Sequence, residues 1–432
     1  MREERAALRD ECGEVHMSSA RRRVVVTGLG VVTPVGLTVK DTWQSLLNNV
    51  SGIGPITAYD CSQHEVKIAG EAKNFIPENY IEKREARRLD RFSQLAVAAA
   101  REAVSDSKLD FSKEDTSRCG VLIGTGIGGI TEIEEQKERL MSKGPGKVSP
   151  FLIPKLMANA ASAHVSILYK LRGPNYCIVT ACAAGANSLG SALRTIQYGE
   201  ADIMVAGGTE AAITPLGMAG FANMGALSKR NDDPAGASRP FDKDRDGFVM
   251  GEGAGVVVLE ELEHALKRDA KIYAEFTGYG LSGDGYHITS PCEDGDGGVR
   301  AMTAALKDAN LRPDDIDYIN AHGTSTPTND RIETRAIKTV LGERARKIPV
   351  SSTKSMTGHT LGAAGGVEFV VSCMSVAEDK VHATLNFKNA DPDCDLDYVP
   401  GSARDHKVRN ALSNSLGFGG HNATLIVSKL KL

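Results

Sequence analysis

A chain of 432 residues is long for a single core and suggests two or three domain-sized units of roughly 150 residues each. Of these residues 41% are apolar and 25% charged, with a net charge of −4; this describes a soluble globular protein without general attraction for nucleic acid or an anionic membrane. The 8 cysteines are scattered with no Cys-x-x-Cys pair, which argues against a zinc site or a thioredoxin-type motif and fits a reducing compartment.

The first segment, Met1 to Ala20, is polar and carries Glu3, Glu4, Asp10, Glu11 and Glu14. It has no apolar signal-peptide core and is too acidic for a transit peptide. Residues 1–16 are either a disordered tail or an extension upstream of Met17. Strand-like and helix-like runs then alternate. Arg23–Gly28 is a β-branched strand, a helical pattern begins at Thr42–Leu47, and Arg91–Ser107 is an Ala-rich helix. Cys119–Gly124 is a strand that ends in the loop Gly-Thr-Gly-Ile-Gly-Gly; Ala201–Gly207 and Gly255–Glu260 are further strands. Continuous apolar runs bounded by glycine indicate strands buried on both faces, hence an α/β layered fold. No apolar run approaches the ~20 residues of a bilayer crossing.

The second half repeats this rhythm. Ile272–Gly280 echoes Val24–Gly30, Ile316–Gly323 resembles the strand at 119–124, and Ile348–Gly366 resembles 177–192. The chain is read as a tandem duplication with its boundary near 265–272: an N-terminal segment 1–20, a first half 21–268 and a second half 269–432.

Four segments carry chemistry. Cys182 lies in Val179-Thr-Ala-Cys-Ala-Ala-Gly-Ala-Asn, between an apolar stretch and a helix-like run. A thiol at a helix start favours the thiolate, and the small neighbours leave space around sulfur; the alternative is a buried structural cysteine. His322 in Asn320-Ala-His-Gly-Thr-Ser-Thr-Pro ends a strand, where it is either an acid–base group or a structural histidine. If that segment is extended, Thr324 and Thr326 point the same way. Lys354 and His359 stand five apart in Lys-Ser-Met-Thr-Gly-His, before the small-residue helix Leu361–Val371. Phe418 sits between glycines in Asn414-Ser-Leu-Gly-Phe-Gly-Gly-His-Asn, where free amides suit an oxyanion hole or a plain turn.

Together these segments, with Arg239-Pro-Phe-Asp-Lys-Asp-Arg-Asp-Gly-Phe-Val-Met-Gly-Glu-Gly, resemble the β-ketoacyl-acyl-carrier-protein synthases, most closely the elongating type II, over nearly the whole chain. The resemblance implies a thiolase-like fold, with duplicated α/β halves in five α-β-α-β-α layers, and a homodimer. It implies chain elongation in fatty acid synthesis, with Cys182 as the acyl-carrying nucleophile and His322 and His359 stabilising the enolate left when a malonyl group loses carbon dioxide. Lys354 would give electrostatic support, while Glu333 and Glu368 would be structural. Ile127 and Phe221 would line the acyl tunnel, Phe418 would be its gate, and Thr324 and Thr326 would bind the phosphopantetheine arm. Arg84, Arg87 and Arg88, at helical spacing, would dock the acidic acyl carrier protein, although Glu82 and Glu85 lie close by. No cofactor or metal is implied, and the location expected is a bacterial cytoplasm or an organelle. Ala183, Leu416 and His421 depart from the family pattern, and Gly225 replaces a docking arginine. A free-standing polyketide-type ketosynthase and a non-catalytic partner subunit are the alternatives; the intact Cys182, His322 and His359 oppose the latter.

Overall fold

The computed structural model describes residues 21–431; the expectations for residues 1–20 lie outside them. The first half supplies strands β1 (Val24–Val32), β2 (Cys119–Gly124), β3 (Asn175–Tyr176), β4 (Ile203–Glu210) and β5 (Gly253–Glu261). Its main helices are α1 (Arg91–Ser107), α2 (Ala160–Tyr169) and α3 (Ala184–Gln197). The second half supplies β6 (Ala274–Gly283), α4 (Asp296–Asp308), β7 (Tyr318–Asn320), α5 (Pro327–Leu341), β8 (Val350–Ser351), α6 (Ala364–Glu378), β9 (Asn410–Gly417) and β10 (His421–Ser428).

The sheet order is β8-β7-β9-β10-β6-β1-β5-β4-β2-β3. Each half has the same internal order and the same pattern of parallel and antiparallel neighbours. The halves join where Val25 and Val26 of β1 pair with Glu275 and Ala274 of β6. Helices α3 and α6 lie side by side between the two five-stranded halves, α1 and α2 cover one outer face, and α4 with α5 covers the other. The result is a five-layer α-β-α-β-α arrangement with apolar cores in the middle and under each outer layer.

The duplication is visible in the glycines. A Cβ on Gly28 or Gly30 would lie 2.1 or 1.9 Å from the Ala103 or Ala99 carbonyl oxygen of α1. On Gly278 or Gly280 it would lie 2.6 or 2.0 Å from the Ala305 or Ala301 carbonyl oxygen of α4. Each half thus brings its outer helix against its first strand through bare backbone. Helix α1 keeps its expected span because Asp90 caps its start, accepting from the Phe92 amide at 3.3 Å, and Lys108 ends it in the left-handed region.

Three expectations change. The small residues around Cys182 do not chiefly clear space for sulfur. They let the central helices touch: a Cβ on Gly185 would meet the Gly362 carbonyl oxygen at 2.8 Å, and one on Gly365 would meet the Ala186 amide nitrogen at 2.5 Å. The same packing makes Leu361–Glu378 an 18-residue stretch with mean hydropathy 1.3, long and apolar enough for a membrane span by composition, yet 83% buried as a core element. Strand β4 also runs past the expected stop at Gly207 to Glu210, because Gly207 and Gly208 allow backbone from β5 and the α6 elbow to pass close.

Candidate active site

Cys182 sits in the turn Ala181–Ala183 that opens α3. Ala181 takes a left-handed φ of 48°, uncommon for a residue with a side chain, and this bend turns the thiol off the strand direction. Cys182 is buried, with 7% of the residue exposed. Burial pushes it up to about 12, opposed by the Lys354 ammonium and by the backbone amides of Phe418 and Cys182 itself. The expectation of a resting thiolate is therefore corrected: desolvation outweighs the helix start, and the group waits as a thiol.

Two histidines face this sulfur from the second half. His322 follows β7, and its backbone is fixed by Glu333 of α5, whose carboxylate accepts from the His322 and Gly323 amides at 2.8 Å each. His359 follows a short helix, Lys354–Thr357, and its amide donates to the Val249 carbonyl oxygen at 2.7 Å. Its Nε2 lies 3.1 Å from the Cys182 Sγ, and the two imidazoles stand 5.3 Å apart at 87°. The Leu361 amide, 3.3 Å from the His359 Nδ1, can only donate. The Lys354 ammonium, 3.4 Å from the His322 Nδ1, can only donate as well. Both Nδ1 atoms therefore accept, which leaves an Nε2–H donor on each ring. Burial, reinforced by Lys354, holds both imidazoles well below their usual range, so both are neutral. Lys354 is in turn held by Glu368 in a fully buried ion pair.

The cavity over these groups has a volume of about 370 Å³ and is lined by Cys182, His322 and His359 together with Phe221, Phe248, Phe418, Thr324 and Thr326. The Phe221 and Phe418 rings lie 6.4 Å apart. Thr324 and Thr326 meet hydroxyl to hydroxyl at 2.9 Å. They do so by a bend rather than by extension, since Ser325 between them has a φ of 70°. Leu416 also lines the cavity, while His421 is exposed at the start of β10. Ile127 is not among the lining residues: it is 38% exposed on the outside of the chain.

The arginine face is smaller than its spacing suggested. The helix spans only Lys83–Ala86. Arg84 and Arg87 are exposed, whereas Arg88 pairs with Glu85 at 2.8 Å and lies 5.2 Å over the Phe151 ring. Sequence reasoning missed Phe248, whose ring packs edge-on against His359 at 5.2 Å. It also missed Glu210, a fully buried carboxylate behind the site. The available signal was a glutamate ending an otherwise apolar strand.

Family models for the beta-ketoacyl synthase N-terminal domain and C-terminal domain match residues 21–265 and 273–388. The chain belongs to the beta-ketoacyl synthase family. It is 56% identical over 409 residues to 3-oxoacyl-[acyl-carrier-protein] synthase 2 of Synechocystis, covering 95% of this synthase and 98% of that protein. It is 52% identical over 413 residues to the protein of the same name from Staphylococcus aureus, covering 96% and 100%. Among solved structures, a type II polyketide ketosynthase in complex with its acyl carrier protein matches with a TM-score of 0.88 at 38% identity, covering 95% of this synthase and 100% of that chain. A beta-ketoacyl synthase from Burkholderia phymatum matches with a TM-score of 0.88 at 34% identity and the same coverage. Both matches extend over the duplicated five-layer arrangement, the thiolase-like fold expected from the sequence.

Proposed function

We propose that this synthase elongates fatty acyl chains by decarboxylative Claisen condensation, joining an acyl group held on Cys182 to a malonyl group on acyl carrier protein. The observation that carries this reading is the convergence of one thiol and two neutral Nε2–H donors on one cavity. Neutral imidazoles suit an enolate because each donates its Nε2–H as a hydrogen bond without being acidic enough to protonate the carbanion.

In the first half-reaction the Cys182 sulfur attacks the acyl thioester carbon. The thiol proton passes to the departing phosphopantetheine thiolate, the bond from the acyl carbon to the carrier's sulfur breaks, and an acyl thioester forms on Cys182. In the second, the bond between the malonyl C2 and its carboxylate breaks and carbon dioxide leaves. The electron pair moves into an enolate whose oxygen accepts from His322 and His359. C2 of the enolate then attacks the acyl carbonyl. The oxyanion accepts from the Cys182 and Phe418 amides, and collapse expels the Cys182 thiolate, which takes a proton from solvent to return to the resting thiol as the β-ketoacyl carrier protein is released. Lys354 keeps both rings neutral, and Glu333 and Glu368 hold the supports. Phe221, Phe418, Thr324 and Thr326 are assigned to the acyl group and the phosphopantetheine arm.

Mass spectrometry of Cys182→Ala with acyl carrier protein tests the nucleophile. No acyl-enzyme is expected, and full acylation of that variant would sink the assignment. The polyketide alternative has structural support, but identity favours elongation: 52–56% to the two 3-oxoacyl-[acyl-carrier-protein] synthase 2 proteins against 38% to the polyketide ketosynthase.

We further take 21–268 and 269–432 as the two halves and the working form as a homodimer. Strand β3 is an exposed sheet edge, and Ile127, Ile153, Met157, Tyr176 and Val179 lie exposed on the segments around it. An unpaired edge beside apolar side chains is a surface that a second copy would cover, and would place Ile127 in a tunnel wall. Arg84 and Arg87 are assigned to carrier docking. The bacterial sources of the curated relatives support a bacterial cytoplasm; cell fractionation that recovered the enzyme with membranes or inside an organelle would contradict it.

A further inference from the structure

The two halves build matching elbows at their central helices and differ in what lies over them. Gly208 pairs with Gly255 and Glu210 with Gly253, while Ser415 pairs with Ala423 and Gly417 with His421. Gly255 and Ala423 pair onward with Val31 and Leu281, each one residue past the glycine that packs on its outer helix. These registers make Glu210 the counterpart of Gly417. The elbows correspond as well. Ala181 and Leu361 have φ values of 48° and 47°, and each opens a three-residue turn before α3 or α6. Gly362 is therefore the counterpart of Cys182, and its amide the counterpart of an oxyanion-hole amide.

Over the first elbow Gly417 leaves room: a Cβ there would lie 3.1 Å from the Ala183 amide nitrogen and 3.3 Å from that of Cys182. Over the second elbow the Glu210 side chain enters the corresponding space. Its carboxylate accepts from the Gly126 amide at 2.7 Å, the Thr125 hydroxyl at 2.8 Å, the Gly362 amide at 3.1 Å and the Ile127 amide at 3.3 Å. Glu210 is fully buried, and among the described residues no basic side chain pairs with it. Burial pushes the Glu210 carboxyl up and these four donors oppose it; a carboxyl group held wholly by amides and a hydroxyl has the donor set of an oxyanion hole.

We propose that Glu210 is a positioning residue whose carboxylate permanently occupies the space over the second elbow that corresponds to the oxyanion hole, taking the Gly362 amide, the counterpart of the Cys182 amide, and in doing so sets His359 and the Gly126–Ile127 loop. The coupling is short. Glu210 fixes Gly362, and the preceding amide, Leu361, donates to the His359 Nδ1 and so keeps the proton on Nε2. This inference rests on the proposed function for the meaning of the first oxyanion hole.

The test is Glu210→Ala in the full-length enzyme, which leaves four donors around a vacancy of carboxylate size, probed with formate and, as a neutral isostere, formamide. Turnover is expected to fall about tenfold or more, as for the loss of a well-made buried acceptor. Formate is expected to restore most of it saturably and to raise the variant's thermal midpoint, while formamide and the wild-type controls show neither effect. Glu210→Gln keeps the bulk, loses turnover and should not respond to formate; it decides the matter if the alanine variant does not fold. Wild-type turnover in either variant would overturn the proposal, as would a folded Glu210→Ala enzyme that formate neither stabilises nor rescues. The stability readout needs no substrate, so failure of the condensation itself would count against the proposed function, whereas a missing formate effect on folded Glu210→Ala would count against the role of Glu210.

Discussion

Lys354→Met removes the cation that lowers both histidines. In the wild type, Lys354 and Glu368 form an ion pair with side chains only 1% and 2% exposed, and the second oxygen of Glu368 has no hydrogen-bond partner among the described residues. Breaking a buried pair from one side typically costs about 3–5 kcal/mol, because the remaining charge is stranded. Burial already pushes the Glu368 carboxyl up to about 7, and losing the lysine that pulls it down raises it further. A group whose folded pKa lies above its unfolded value loses its stabilising contribution as pH rises through the folded pKa. The deficit of Lys354→Met should therefore shrink below pH 7 and reach the full ~3–5 kcal/mol above it. The double variant Lys354→Met/Glu368→Gln strands no charge, so most of the stability should return, with a coupling energy of about 2 kcal/mol or more. Activity should not return with it. Without the cation both imidazoles titrate higher, and the acid limb of malonyl decarboxylation should move up toward the ordinary histidine value of about 6.5. Urea unfolding at several pH values, with decarboxylation rates on the same samples, reads both effects. A single variant less than about 1 kcal/mol down at pH 8, or a double variant with the wild-type acid limb, would refute the reasoning.

Carrier docking should divide the three arginines unequally. Arg84→Glu with Arg87→Glu should weaken carrier affinity and flatten its dependence on salt in binding titrations, while Arg88→Glu alone, already neutralised by Glu85, should do less; an equal effect from Arg88 would contradict the division. In sedimentation velocity the wild type should run as a dimer, and Tyr176→Asp with Val179→Asp should shift it toward monomer. A monomeric wild type would remove the edge-strand interface.

What the sequence made legible depended on locality. Cys182 and His322 each follow a short apolar run that marks the side chain it delivers, whereas His359, in the polar loop Lys-Ser-Met-Thr-Gly-His, was marked by the small-residue helix that follows it. The pairing of Gly28 and Gly30 with Gly278 and Gly280 was readable as an echo because close packing admits only glycine there. The small residues around Cys182 were read as room for chemistry when their work is helix contact, because composition does not distinguish space from close approach. The thiolate expectation failed for a related reason. A helix start is local and visible, whereas the desolvation that opposes it comes from chain hundreds of residues away. Glu210 stayed hidden because its donors come from the separate segments Thr125–Ile127 and Gly362, which only the fold brings together. The arginine spacing was real, but the helix beneath it is four residues long and cannot present three guanidinium groups on one face.

The central claim is that two neutral histidines stabilise the malonyl enolate independently of the thiol. Cys182→Gln, which imitates an acylated sulfur, separates these roles when carbon dioxide release from malonyl-acyl carrier protein is measured. Decarboxylation should persist in Cys182→Gln while condensation is abolished, and adding His322→Ala should lower it by about a hundredfold or more, as for the loss of one preorganised donor. No carbon dioxide from Cys182→Gln, or equal rates with and without His322, would contradict the account.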